Sequence, residues 1–164
     1  MDNLIRVIIP ALNEESSIGR VINDIPSELV HETIVVDNNS ADNTSEVAKS
    51  VGATVLKEKE PGYGAACLKG MDYISNLDEP TDIVVFLDGD YSDFPEEMTA
   101  LVAPIIEQEY DLVIGSRVLG VRERGSLTPV QVFGNWLSTK LLKLIYNVDF
   151  TDLGPFRAIN WQKL

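Results

Sequence analysis

Asp82-Ile83-Val84-Val85-Phe86-Leu87-Asp88-Gly89-Asp90-Tyr91-Ser92 is an unbroken apolar run that stops at two carboxylates with a glycine between them. Val, Ile and Phe in continuous sequence fit a parallel strand covered on both faces, and in open α/β sheets ligands bind beyond the carboxyl ends of such strands. The run therefore predicts a buried strand that empties into a site, with Asp88 and Asp90 at its mouth. Two ionised carboxylates roughly 4 Å apart repel by about 1 to 4 kcal/mol, depending on the local dielectric, so the pair favours a shared proton or a bound cation. Carboxylate oxygens suit a hard divalent ion, Mg²⁺ or Mn²⁺. The competing reading is a plain polar turn, because Asp and Gly are ordinary turn residues.

Outward from this run the same alternation repeats in both directions. Leu4 to Ile9 is a β-branched strand ended by Pro10, after which Ser16 is placed to cap a helix to about Asp24. Glu32 to Val36 is a second strand, followed by a helix capped by Asp42 or Asn43 and reaching about Val51. Ala53 to Lys57 is a third, and Pro61-Gly62-Tyr63-Gly64 leads into a helix with apolar Ala66, Met71 and Ile74. Downstream, Pro95 suits the first turn of a helix to about Gln108, and Leu112 to Ile114 makes a fifth strand closed by Gly115-Ser116-Arg117. Strand–helix alternation of this kind predicts an α/β fold on a parallel sheet. The pattern changes at Val118 to Thr128, an arginine-bearing loop before Pro129 and a helical stretch of about Val130 to Tyr146. The chain then stops at Leu164 without a closing helix, which reads as a truncated chain or an early boundary.

With 164 residues, 45% of them hydrophobic, the chain can bury one good core, and a single domain over 1–164 is expected. A formal charge of -13 argues against an electrostatic grip on nucleic acid or anionic lipid, both of which need clustered Lys and Arg. An acidic chain that binds a phosphorylated ligand needs a metal or locally placed arginines. The single cysteine, Cys67, excludes an internal disulfide and any multi-cysteine metal site, and fits a reducing, cytoplasmic setting. No leader pattern and no window of eighteen apolar residues is expected to direct the chain into or across a membrane. His31, outside every motif, is expected to face solvent.

Several separated segments together resemble family 2 glycosyltransferases of the GT-A type, nearest to the polyprenyl-phosphate (dolichyl-phosphate) mannosyl- and glucosyltransferase-like branch. The residues that carry the likeness are Ile9-Pro10-Ala11-Leu12-Asn13-Glu14-Glu15, Val36-Asp37-Asn38-Asn39-Ser40 with Thr44, Gly62 with Gly64, Leu87-Asp88-Gly89-Asp90, Gly115-Ser116-Arg117, and Asp152 to Arg157. Each segment is short, but their order and spacing cover nearly the whole chain. Relatives usually continue past a Gly-Phe-Arg segment, here Gly154-Pro155-Phe156-Arg157, into further helices. The resemblance implies a Rossmann-like three-layer α/β/α fold with a mostly parallel central sheet, and inverting transfer of a sugar from a nucleoside diphosphate sugar, UDP- or GDP-linked.

The resemblance also implies roles. Asp88 and Asp90 would hold Mg²⁺ or Mn²⁺ against the diphosphate, with Asp88 and Gly89 reaching the nucleotide as well. Pro10, Asn13, Glu14 and Asp37 would line the nucleotide pocket. A carboxylate at Asp37 can accept hydrogen bonds from a base or ribose, although it can equally organise a helix-capping turn. Glu14 can equally be a first-turn acid stabilised by the helix dipole. Gly62 and Gly64 allow close backbone approach to phosphates at a helix start, or form a simple turn. Asp152 and Arg157 fall on the acceptor side, Asp152 as the candidate general base. Arg117, Arg122 and Arg124 are candidates for a phosphate-bearing acceptor, a polyprenyl phosphate at the membrane surface, because guanidinium forks match phosphate oxygens. Two other classes stay open at this point: a Mg²⁺-dependent phosphatase of haloacid-dehalogenase type, which also uses an Asp-x-Asp loop, and a nucleotide-binding module without turnover.

Overall fold

The computed structural model describes residues 3–116 and 154–164. The expected loop over 118–128, the helix over 130–146, and Arg117, Arg122, Arg124 and Asp152 lie outside the described residues. The chain divides into two compact units, Met1–Val113 with Phe156–Leu164, and Ile114–Pro155. Apart from the last residue of β5, the elements below belong to the first.

Strand and helix alternate as β1 (Ile5–Ala11), α1 (Ile18–Asn23), β2 (Glu32–Asp37), α2 (Thr44–Ser50), β3 (Thr54–Lys57), α3 (Tyr63–Ser75), β4 (Ile83–Phe86), α4 (Met98–Gln108), β5 (Leu112–Ile114) and β6 (Arg157–Asn160). A 3₁₀ turn at Pro95–Glu97 leads into α4, with proline in its first turn as expected. Among the described residues, six strands form one sheet in the order β3-β2-β1-β4-β6-β5. β1, β2, β3 and β4 pair in parallel. The strand order reverses between β1 and β4, and such a switch point is where open α/β sheets bind ligands.

Side-chain alternation on the central strands divides the core into two layers. Ile5, Val7, Ile9, Val35, Ile83 and Val85 join buried residues of α1, α2 and α4 on one face. Ile8, Ile34, Val36, Val84 and Phe86 pack with Ala66 and Ile74 of α3 on the other. Coverage on both faces is why β4 reads as an unbroken apolar run.

Three details depart from the local reading. β1 continues through Pro10 to Ala11. Its ladder with β4 ends at Ile8 opposite Phe86, while its ladder with β2 runs on to Ala11 opposite Asp37. At Pro10 the strand is therefore paired on one side alone, where a missing N–H is tolerated, and the divergence of β1 from β4 opens the crevice. The second is β6, which enters the sheet antiparallel beside β4 with Phe86 opposite Arg157, in a short segment whose local pattern carried no strand signal. The third is the start of α1, where Ser17 rather than Ser16 occupies the cap position and makes no side-chain cap bond. The Ser17 hydroxyl donates instead to Glu14 Oε2 at 2.8 Å.

Arg6 is a further surprise, a cation only 1% exposed inside β1. It bonds Glu32 at 3.2 Å, Glu79 at 2.7 Å, the Pro80 carbonyl at 2.8 Å and the Thr81 hydroxyl. Glu32 in turn accepts from Thr54 and from Tyr73 of α3, so the charge lies in a satisfied network, the condition for burying it. His31 is exposed as expected and pairs with Glu79 at 2.8 Å. Among the described residues, no helix is long and apolar enough to cross a membrane.

Candidate functional site

Three strand ends and one helix start enclose a cavity of about 480 Å³, within the usual size range of small-molecule sites. Pro10 and Ala11 come from the end of β1, Asn38 and Asn39 follow β2, Gly62 and Tyr63 begin α3, and Asp88, Gly89 and Asp90 follow β4. Glu14 and Leu12 complete the wall from the segment after β1. Of the residues singled out from sequence, Pro10, Glu14, Gly62, Asp88, Gly89 and Asp90 are therefore brought together.

A hydrogen-bonded frame fixes the loops that carry them. Between the β1–α1 and β2–α2 segments, Glu14 N–H donates to the Thr44 hydroxyl at 2.8 Å and Asn13 N–H to the Ser40 hydroxyl at 2.9 Å. In return, Ala41 N–H donates to Asn13 Oδ1 at 2.7 Å. Asn38, 7% exposed, ties the next pair of loops. Its Nδ2 donates to the carbonyls of Glu58 and Glu60, and its Oδ1 accepts from Gly62 N–H at 2.7 Å. Gly62 has φ of 129°, a backbone conformation that glycine alone adopts readily.

Three of the expected pocket residues lie outside the cavity wall. Asn13 sits at φ 60° as the bracket between two loops. Asp37 is 1% exposed, with Oδ1 accepting from Ser40 N–H at 2.8 Å and Oδ2 from the Ser45 hydroxyl and from the Lys57 ammonium at 2.5 Å. Burial would raise its pKa, but the Lys57, Ser45 and Ser40 bonds prevail and hold it at about 2. The carboxylate thus ties the loop after β2 to α2 and to Lys57 from behind the cavity wall. Gly64 lines a neighbouring open depression with Glu58, Glu60 and Lys69, and the Gly62 N–H is already held by Asn38. Asn38 carries no local signal of this role, because its partners are backbone groups of the segment 58–62, some 20 residues away in sequence.

Arg157 stands next to the cavity rather than on its wall. Its guanidinium lies 5.6 Å from the centre of the Phe86 ring, across the β4–β6 register. Burial, followed by the nearby Asp88 charge, pushes the Tyr63 hydroxyl far above the ordinary tyrosine range, despite an opposing hydrogen bond with Arg157. Burial likewise raises the Cys67 thiol, and the side chain packs against the α3 side of the core.

Among the described residues no group of three or more His, Cys, Asp or Glu is arranged to hold a metal. Asp88 and Asp90 nevertheless supply hard oxygen donors on one cavity wall. That donor set fits Mg²⁺ or Mn²⁺ bound with a phosphorylated ligand, since such ions are commonly held by one or two carboxylates plus phosphate oxygens and water.

A mostly parallel sheet covered on both faces, with an Asp-x-Asp turn at the switch point, defines a nucleotide-sugar transferase fold of GT-A type. Residues 6–162 match the profile of glycosyl transferase family 2, and the chain belongs to that family. An uncharacterized glycosyltransferase of Mycobacterium tuberculosis is 40% identical over 162 residues, covering 98% of this chain and 69% of that protein. Glycosyltransferase AglJ of Haloferax volcanii is 31% identical over 153 residues, 93% of this chain and 48% of its own length. A UDP-N-acetylglucosamine–dolichyl-phosphate N-acetylglucosaminyltransferase of Methanococcus voltae is 28% identical, covering 82% of this chain and 60% of that protein. Among solved structures, glucosyl-3-phosphoglycerate synthase of M. tuberculosis in complex with Mn²⁺, UDP-glucose and phosphoglyceric acid superposes with a TM-score of 0.76. It is 28% identical, over 98% of this chain and 57% of that one. The chain spans about half the length of several relatives it matches. Family membership sets the phosphatase reading aside.

Proposed function

We propose that this chain carries the donor site of an inverting glycosyltransferase that moves a sugar from a UDP- or GDP-sugar to a phosphate-bearing acceptor, a polyprenyl phosphate. One observation carries the donor half. Asp88 and Asp90 share a cavity with the ends of β1 and β2 in a chain of net charge -13, and a cation on the two carboxylates would offset their repulsion of a diphosphate. Asp88 and Asp90 would hold Mg²⁺ or Mn²⁺, which when bound supplies Lewis-acid stabilisation of the departing diphosphate. The chain's own residues do the rest. Pro10, Ala11 and Leu12 offer an apolar wall, the Asn38 frame fixes the opposite loop, and Glu14 is oriented by Ser17.

The acceptor half draws on the relatives, whose names pair the sugar donor with dolichyl phosphate in one case and with phosphoglyceric acid in the other. Arg117, Arg122 and Arg124 would receive the acceptor phosphate. An ionised phosphate is already a nucleophile, so on this reading Asp152 is not an essential general base. Such an acceptor would place the protein at the cytoplasmic surface of a membrane.

UDP- and GDP-sugars are to be titrated with Mn²⁺ and with EDTA, in the natural protein and in Asp90→Asn. Binding should depend on the metal and fall sharply in the variant. Equal affinity in Mn²⁺ and EDTA would refute the donor reading. Transfer to a short-chain prenyl phosphate should disappear in the Arg122→Ala, Arg124→Ala double variant while donor binding persists. Efficient transfer to soluble hydroxyl acceptors, indifferent to both arginines, would refute the acceptor reading.

A further inference from the structure

We infer that Tyr91 is a positioning residue that locks the Asp-x-Asp turn onto helix α1 and so sets the Asp90 carboxylate before the donor arrives; this rests on the donor-site reading above. Tyr91 has φ of 63°, in the left-handed region, where a bulky side chain is uncommon and strained. Such a conformation persists only when its surroundings hold it, and two contacts do so. The Tyr91 hydroxyl donates to the Asp24 carboxylate, and the Arg20 guanidinium lies 4.7 Å from the centre of the Tyr91 ring.

Arg20 lies in the last turn of α1 and Asp24 caps its end, with Asp24 N–H bonding the Arg20 carbonyl at 3.0 Å. That helix is anchored in the core through Ile18, Val21 and Ile22. The turn also passes near the start of α1 and the segment before it, where a Cβ added at Gly89 would come to 3.5 Å from Ile18 Cδ1 and from Glu14 Cγ. Asp90 Oδ1 accepts from Ser92 N–H at 2.9 Å, a bond that spans Tyr91. Fixing Tyr91 therefore fixes the orientation of Asp90. A carboxylate that must seat a cation against a diphosphate benefits from being held in place in advance.

The test uses UDP with Mn²⁺ and uridine with EDTA as probes, measured by calorimetry on the whole protein. Tyr91→Gly relieves the backbone strain and removes both contacts, and UDP affinity in Mn²⁺ should fall about tenfold, as it would if the freed turn held Asp90 in its binding orientation about a tenth of the time. Tyr91→Phe and Asp24→Ala, which remove the hydrogen bond alone, should show a smaller fall. Uridine affinity in EDTA should not move, and in an Asp90→Asn background Tyr91→Gly should add nothing. Unchanged UDP affinity, an equal loss for uridine, or an additive loss with Asp90→Asn would each overturn the inference. If natural protein binds UDP equally with and without Mn²⁺, the donor reading fails and takes the inference with it. That pattern is distinct from metal-dependent binding that ignores Tyr91.

Discussion

Replacing Asn38 by alanine removes three hydrogen bonds from a side chain that is 7% exposed: those to the carbonyls of Glu58 at 3.1 Å and Glu60 at 2.6 Å, and the one from Gly62 N–H at 2.7 Å. At about 0.5 to 1.5 kcal/mol net for each bond, their sum is roughly 1.5 to 4.5 kcal/mol. Glu60 and Gly62 are exposed, so water can replace part of what is lost, and the lower end, about 2 kcal/mol, is expected. For a chain of this size that is a fall in Tm of roughly 4 to 8 °C. Asn38→Asp is the sharper perturbation, because it keeps the shape and the acceptor for Gly62 but turns two donors into an acceptor facing two carbonyl oxygens. The new carboxyl would have a folded pKa above its unfolded value. Its contribution is then fully present below the unfolded pKa and lost as pH rises through the raised folded one, so this variant should be weak at neutral pH and recover in acid. Urea unfolding followed by circular dichroism across pH measures both variants, and UDP binding with Mn²⁺ reports whether the cavity floor has moved. An Asn38→Ala protein that unfolds within about 1 °C of the natural one and binds UDP equally well would refute the frame argument.

Asp37, held at about 2 against an ordinary 3.8, should contribute about 2 kcal/mol of stability. That contribution is present above the unfolded value of 3.8 and is lost as pH falls through about 2. The stability gap between natural protein and Asp37→Asn, read from urea midpoints, should therefore close between those values; a gap that is constant with pH would contradict it. Arg6→Leu leaves Glu32 and Glu79 without their cation and should cost about 3 kcal/mol, with partial recovery on adding Glu32→Leu; an unchanged unfolding midpoint would show that the buried network is not stabilising. Gly70→Ala sets two effects against each other. Helix propensity favours alanine by about 1 kcal/mol, but the added Cβ would lie 2.8 Å from Ile8 Cγ2, in a core where overpacking costs about 1 to 3 kcal/mol. A modest fall in Tm is expected, and a rise would mean that Ile8 repacks freely.

Local pattern determined most of the frame. Largely apolar runs bounded by Gly, Pro and Asp marked β1 to β5, most clearly β4, because a strand buried on both faces must be mostly apolar and must end where polar groups can reach solvent or ligand. For the same reason Asp88 and Asp90 were legible as site residues: a strand terminus and its first carboxylates are neighbours in sequence. What the sequence left open depends on groups that are far apart along the chain. β6 is a strand only because β4 offers it a ladder, with Arg157 opposite Phe86. Asp37 and Asn13 looked like ligand-facing groups, yet Lys57 and the Ser40–Ala41 backbone hold them away from the cavity wall. No local pattern assigns a role to Asn38 or Tyr91, and tertiary structure makes one a tie between loops and the other a clamp on α1. Periodicity encodes which face of an element is apolar, but register and loop closure decide which polar groups meet, and those are properties of the assembled sheet.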